Sequence, residues 1–212
     1  MASAKPAIRP PVQRRSRETL ERILQAGVDL LIEGGWTAVT VSEVARRAKV
    51  SIGTLYGRFD SRDALILAIQ GRVLSNIEWD KDTAFNDPQW ATVGPERAVE
   101  VAVTSMGSIF MRHQKVLRAL TARSHFDAEI MRRGTASAMR LGDDFTRVLL
   151  PHSDAFNHSD PERAIRFLFG VCVDAYSRVL AESHDGTGSD KLSWEETTAE
   201  LQRMASAYLL GK

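Results

Sequence analysis

A single cysteine, Cys172, stands in 212 residues. That excludes a disulfide framework or a cysteine-rich zinc site and suits a reducing cytosol. The opening stretch, MASAKPAIRPPVQRRSR, is basic but lacks the apolar segment of a secretory signal. No apolar run can span a bilayer: the least polar stretch, 164–180, is interrupted by Arg166, Asp174 and Arg178. A cytoplasmic protein is expected. There is no Gly-x-Ser-x-Gly, phosphate loop or Rossmann fingerprint, so no enzyme and no cofactor is expected. The five histidines (113, 125, 152, 158 and 184) show no metal-ligand spacing, so no metal is expected either. Cys172 lies in an apolar helix, where an inert buried thiol is expected.

The composition, 43% apolar and 26% charged, is that of a globular chain and excludes disordered and fibrous classes. The formal charge of +1 conceals an asymmetry. Residues 1–62 carry eleven Lys/Arg against six Asp/Glu, a net +5; residues 63–212 carry 17 against 21, a net −4. A basic head on an acidic body suggests that the two meet different partners, although a solvated surface accounts for the same charges.

Apolar residues recur at helical spacing throughout, with no strand-like alternation. Leu20, Ile23, Leu24, Gly27, Val28, Leu31 and Ile32 form one stripe, which stops at Gly34-Gly35. Thr40-Val41-Ser42-Glu43 reads as a capping box, opening a two-turn helix with Val44, Ala45 and Ala48 on its apolar face. Ser51 caps a short third helix with Ile52, Leu55, Tyr56 and Phe59 on one stripe. Asp60-Ser61 caps a fourth helix carrying Leu65, Ala68, Ile69, Val73 and Ile77. Residues 80–95, with Asp-Pro and Gly-Pro, read as a loop. Further helices are expected from Pro95, around Val116–Ala122, from Ile130 to Pro151, from Asp160-Pro161 to about Glu182, and from Ser193, with residues 183–192 as a loop. The expected fold is all-α, with about nine helices: an N-terminal three-helix helix-turn-helix head and a C-terminal helical bundle. The helix over 164–180 is apolar nearly all round, and the last helix has few neighbours to cover it. A homodimer through these last two helices answers both difficulties; one large core within a single chain is the alternative.

Thr40 to Leu65 reads TVSEVARRAKVSIGTLYGRFDSRDAL. Two short helices and a tight turn suggest a helix-turn-helix that puts its second helix into the major groove of double-stranded DNA. Phosphates repel carboxylates, and no Asp or Glu occurs from Ala45 to Phe59. The helix starts at Thr40, Ser51 and Ser61 offer amides to phosphate oxygens, and Tyr56, Arg58 and Arg62 add side-chain donors.

This string resembles the DNA-binding signature of the TetR family of bacterial transcriptional regulators. The resemblance is carried by Thr40-Val41, Val44-Ala45, Val50-Ser51, Gly53-Thr54-Leu55-Tyr56, Arg58 with Phe59, Ser61-Arg62 and Leu65. Two residues depart from the pattern: Lys49 occupies the turn where the family usually has Gly, and Arg58 replaces the commoner His. The resemblance implies a flexible basic arm over 1–16, a DNA-binding domain over 17–62, and a ligand-binding and dimerisation domain over 63–212.

It further implies that Thr40, Tyr56 and Arg62 contact phosphates while Ser51, Ile52 and Thr54 present at the groove. Thr54 would bond a base edge and Ile52 would touch a thymine methyl. Ser51 and Thr54 serve equally as local caps, and Ile52 equally as core. Arg46 and Arg47 point away from the apolar face of their helix, towards phosphate or plain solvent, and Lys49 gains a phosphate contact in exchange for its turn conformation. The arm from Arg9 to Arg17 enters a minor groove or remains a solvated tail.

For the body, the resemblance implies a cavity for a small apolar or amphipathic effector. Met106, Phe110, Phe126, Met131, Phe145, Phe167 and Tyr176 are candidates to line it, with Trp79, Trp90 and Met139 in the wider pool; the same residues also describe an ordinary core. The implied function is that of a ligand-responsive DNA-binding regulator, a homodimeric repressor on a palindromic operator. Two alternatives stay open: a helical small-molecule-binding protein or enzyme whose head oligomerises, and a DNA-binding protein without ligand control.

Overall fold

The computed structural model describes residues 10–182 and 192–211. Among these there are nine α-helices and no strand: α1 (Pro10–Ala38), α2 (Val41–Ala48), α3 (Ile52–Tyr56), α4 (Arg62–Phe85), α5 (Pro95–Arg112), α6 (Gln114–Ser124), α7 (Ala128–Leu149), α8 (Pro161–Glu182) and α9 (Trp194–Leu210). Two 3₁₀ turns, Pro88–Ala91 and Leu150–Ala155, follow α4 and α7. The chain divides into two compact units, 1–73 and 74–212. No helix of the described residues is long and apolar enough to cross a membrane.

Most helix starts lie where their caps predict. Ser61 accepts the Ala64 amide at 3.1 Å, Asp160 the Arg163 amide at 3.0 Å, and Ser193 with Glu196 forms a complete capping box ahead of α9. Gly34 and Gly35 break α1 as expected, Gly35 with φ of 62°. The helix begins at Pro10, so residues 10–16, expected in the flexible arm, continue into α1. Arg9 and the rest of the arm lie outside the described residues, as do 183–191 of the expected loop.

Two boundaries differ from expectation. The loop expected over 80–95 begins only after Phe85, because the buried stripe of α4 runs on through Ile77, Lys81 and Phe85; the Asp-Pro signal acts at 87–88. The units divide inside α4 and not at its start. The first three turns of α4 belong to the head through buried Leu65, Ile66, Ile69 and Val73, with Ile69 lying directly against Gly27 of α1.

In the body, α5 packs along α7 and α9, and α8 between α7 and α9. The core is Val99, Ala102, Val103 and Met106 of α5, Phe145 and Leu149 of α7, Ile165, Leu168, Cys172 and Tyr176 of α8, and Leu201, Ala205 and Leu209 of α9. The expected shortage of cover for the last two helices is only partial, with Phe167 of α8 and Met204 of α9 left exposed. α9 has both α5 and α8 beside it, and the outward side of α8 carries Arg163, Arg166, Asp174 and Arg178 around an exposed Phe167.

Candidate nucleic-acid interface

α2 is set at its start by Thr40, whose Oγ1 accepts the Glu43 amide at 3.2 Å. The reciprocal half of the expected capping box is missing. The Thr40 amide donates instead to the Ala38 carbonyl at 3.0 Å, and the Glu43 carboxylate takes the Arg46 guanidinium, with Nε donating at 2.9 Å. The Arg46 hydrogen bond holds the Glu43 carboxyl below the usual carboxylate range. At the other end of α2 the Val50 amide donates to the Ala45 carbonyl at 3.0 Å and the Lys49 amide to Arg46 at 3.2 Å. This paired closure needs a left-handed residue. Lys49 supplies it with φ of 55° and ψ of 49°, a conformation that costs an L-residue energy glycine would not lose.

α3 is only five residues long, too short to persist without tertiary support. Ser51 caps it by accepting the Thr54 amide at 3.0 Å, and its Oγ lies 2.9 Å from the Thr54 hydroxyl. The capping role held open for these two side chains is therefore present. Of the expected apolar stripe only Leu55 is fully buried and Phe59 is half-buried. Ile52 and Tyr56 turn outward, 48% and 55% exposed, so Ile52 is not a core residue. The geometric reason is the helix's length: a helix of one and a half turns can bury only one face, and Leu55 occupies it.

The arginines are more engaged than residue type alone indicates. Arg47 donates to Glu33 of α1 at 2.6 Å, and that hydrogen bond lowers the Glu33 pKa. Arg58 donates to Ser16 Oγ in α1 at 3.0 Å, fastening the turn after α3 to the first helix. Arg62 is exposed, with its guanidinium 3.5 Å from the Val39 carbonyl. Lys49 and Tyr56 make no side-chain hydrogen bond to any described residue. Local pattern could find the caps. It carried no signal for Arg47–Glu33 or Arg58–Ser16, whose partners come from α1. The outcome is one exposed surface of Ser51, Ile52, Thr54 and Tyr56 without a carboxylate of its own, flanked by cations held in place.

Of the residues expected to line a ligand cavity, four pack into the core of the body and three lie on its surface. Met106, Phe145 and Tyr176 are fully buried core, and Phe110 is half-buried with its ring 5.6 Å from that of Tyr176. Phe126, Met131 and Phe167 are exposed at 92%, 52% and 61%, so they do not line an interior cavity of this chain. Trp79 and Met139 are exposed too, and Trp90 stacks 5.9 Å from Phe85. Helical spacing made them candidates, but spacing does not say which way a face points. Phe167 does border a surface cavity of about 360 Å³, with His158, Asp160, Arg163 and Tyr208. Among the described residues no three His, Cys, Asp or Glu side chains gather as a metal site requires.

Residues 23–69 match the family described as "Bacterial regulatory proteins, tetR family". Over 68 residues the chain is 40% identical to the HTH-type transcriptional repressor KstR of Mycolicibacterium smegmatis, covering 32% of this chain and 33% of that protein. It is 36% identical over 86 residues to the HTH-type transcriptional regulator AlkX of Mycobacterium tuberculosis, covering 38% and 41%. The chain thus matches about a third of the length of these curated relatives. The fold is shared more widely. The crystal structure of a TetR transcription regulator from Haloarcula marismortui superposes with a TM-score of 0.68 at 18% identity, covering 91% of this chain and 96% of the other.

Proposed function

We propose that this chain, whose residues 23–69 match the tetR family of bacterial regulatory proteins, is a DNA-binding transcriptional regulator of that family that acts as a homodimeric repressor on a two-fold operator. The observation that carries this reading is the outward turn of Ile52 and Tyr56 on α3. A solitary aliphatic side chain and a phenol at half exposure, on a capped helix with no acid from Ala45 to Phe59, suit a thymine methyl and a phosphate oxygen. Thr54 would offer its hydroxyl to a base edge, and Thr40, Lys49, Arg58 and Arg62 would hold the sugar-phosphate strands. Arg46 and Arg47 would act with their carboxylates already paired, contributing shape more than free charge.

The two reading helices of a dimer would enter successive major grooves about 34–36 Å apart on one face of the duplex. Exposed Phe167 on α8 and Met204 on α9 are the apolar side chains that a second copy would cover. A small molecule bound in residues 74–212 would release DNA only to the extent that it favours the conformation unable to bind. The work of the protein is binding, and we assign it no catalytic step.

Selection of bound duplexes from genomic fragments, followed by anisotropy titration, tests the reading. Tyr56→Ala and Thr54→Ala are each expected to weaken the selected site by about 1–3 kcal/mol. Raising salt a few-fold should weaken all forms by orders of magnitude. Unchanged affinity for both variants would remove α3 as the reader, and a single-chain mass in light scattering would remove the dimer.

A further inference from the structure

Between the C-terminal half of α4 and the length of α5 lies a groove of about 310 Å³, within the 74–212 unit. This is the small end of ligand-cavity size, roughly 300–1,000 Å³. On α5 it is lined by one stripe, Val101, Thr104, Ser105, Ser108 and Ile109, and on α4 by Thr83. Those α5 positions fall at i, i+3, i+4, i+7 and i+8, the spacing that usually buries an apolar face against a neighbouring helix. Here the middle of the stripe is hydroxylated, while Val101 and Ile109 are buried at its floor.

The hydrogen bonds on the walls define what could fit. Thr83 donates to the Trp79 carbonyl at 2.9 Å and Thr104 to the Glu100 carbonyl at 2.8 Å, which leaves each oxygen only the role of acceptor. Gln202 also donates to Thr104 at 2.8 Å. Ser105, Ser108 and the Gln89 carboxamide at the groove's end make no side-chain hydrogen bond to a described residue, and each can both donate and accept. The charges, in contrast, are already matched. Asp80 receives Arg112 at 2.8 Å and lies 2.7 Å from His113 Nε2, and Arg97 donates to Glu100 at 2.9 Å.

We propose that this groove binds a small neutral polyhydroxylated molecule, of mono- to disaccharide size. Each hydroxyl of such a ligand donates and accepts, as the serines and the glutamine require, and the C–H face of a sugar ring suits the Val101 and Ile109 floor. An apolar ligand would cover Ser105, Ser108 and the Gln89 carboxamide without giving them partners. A simple anion or cation would meet arginines and a carboxylate that already neutralise one another. The site thus calls for a polar occupant where the family resemblance implied an apolar or amphipathic one. That the occupant controls DNA release rests on the regulatory reading above; that it binds does not.

Isothermal titration calorimetry of the full chain without DNA tests it, with glucose, maltose, trehalose, myo-inositol and mannitol as probes. Decanoate and inorganic phosphate serve as apolar and anionic comparators. At least one polyol is expected to bind saturably, and Ser108→Leu and Thr83→Leu, both at exposed positions, should each weaken it roughly tenfold or more. Saturable binding by none of the five, binding by decanoate or phosphate alone, or an affinity unchanged in Ser108→Leu would overturn the proposal. Operator affinity of the same preparations is measured in parallel. Lost DNA binding with sugar binding intact counts against the regulator, and the reverse counts against the groove alone.

Discussion

Gly107 of α5 lies against the phenol of Tyr176 of α8 so closely that a Cβ at Gly107 would stand 2.5 Å from the hydroxyl oxygen and 2.8 Å from Cζ. Tyr176 is fully buried, donates towards the Val103 carbonyl at 3.2 Å, and stacks on Trp194 with ring centroids 5.0 Å apart. Burial pushes its pKa up to about 12. The body of the molecule is thus assembled around one polar ring whose place is made by the absence of a side chain.

Gly107→Ala is expected to destabilise the protein by about 1–3 kcal/mol through overpacking. Tyr176→Phe should cost about 0.5–1.5 kcal/mol for its hydrogen bond. Because the phenol oxygen is the nearest clashing atom, the double variant should be less destabilised than the sum of the singles. Chemical denaturation of all four proteins measures the coupling, and strict additivity would show that the two residues do not constrain each other.

Lys81 is buried on α4 and paired with Asp144 of α7, with Asp82 at 3.0 Å and Glu78 at 3.4 Å. Burial by itself would raise the carboxyls of Glu78 and Asp144. Hydrogen bonds from Arg140 and Ser137 to Glu78, and from Lys81 and Arg147 to Asp144, reverse the sign and hold both below their ordinary values of 4.5 and 3.8. Lowered folded-state pKa values add stability that is present above those ordinary values and is lost as pH falls through the folded ones. Lys81→Met should cost about 2–3 kcal/mol at neutral pH, less than a fully broken buried pair because Arg147 and Arg140 still hold Asp144 and Glu78, with a shallower loss of stability on acidification below about pH 4 than the parent shows. Equal acid slopes in the two proteins would mean that the pairing is not what lowers Asp144.

Lys49 holds the left-handed corner between α2 and α3. Lys49→Gly should raise stability by about 0.5–1 kcal/mol, since glycine enters that region without the Cβ clash yet loses more chain entropy. A denaturation midpoint lowered by the substitution would show that the lysine side chain contributes more than its backbone costs.

Ser51→Ala removes the only side-chain cap of a five-residue helix and should destabilise the protein by about 1 kcal/mol. Thr54 then loses the hydroxyl 2.9 Å from its own, so operator affinity should fall together with stability. If stability drops while affinity is untouched, the cap and the reading surface are independent.

Much of this organisation is local enough to read along the chain. Capping residues at 40, 51, 61, 160 and 193 act within one turn, and the Gly34-Gly35 break needs no partner, so the helix order and the helix-turn-helix segment follow from nearest-neighbour chemistry. The reach of α4 to Phe85 was not visible, because Lys81 looks like a loop residue until Asp144 is beside it. The capping-box pattern points Glu43 at the Thr40 amide, but that amide is taken by the Ala38 carbonyl and the Glu43 carboxylate by Arg46.

What the amino-acid order settled on its own is the alphabet of the head: short capped helices, a turn, and a stretch free of acids. Tertiary packing decided which side of each helix meets water. It turned Ile52 and Tyr56 outward, fixed Arg47 and Arg58 to α1, placed Phe126, Met131 and Phe167 on the surface, and left hydroxyls lining a groove on α5. Helical periodicity specifies the spacing of a face and is blind to its direction, which only the neighbouring helices, distant along the chain, can set.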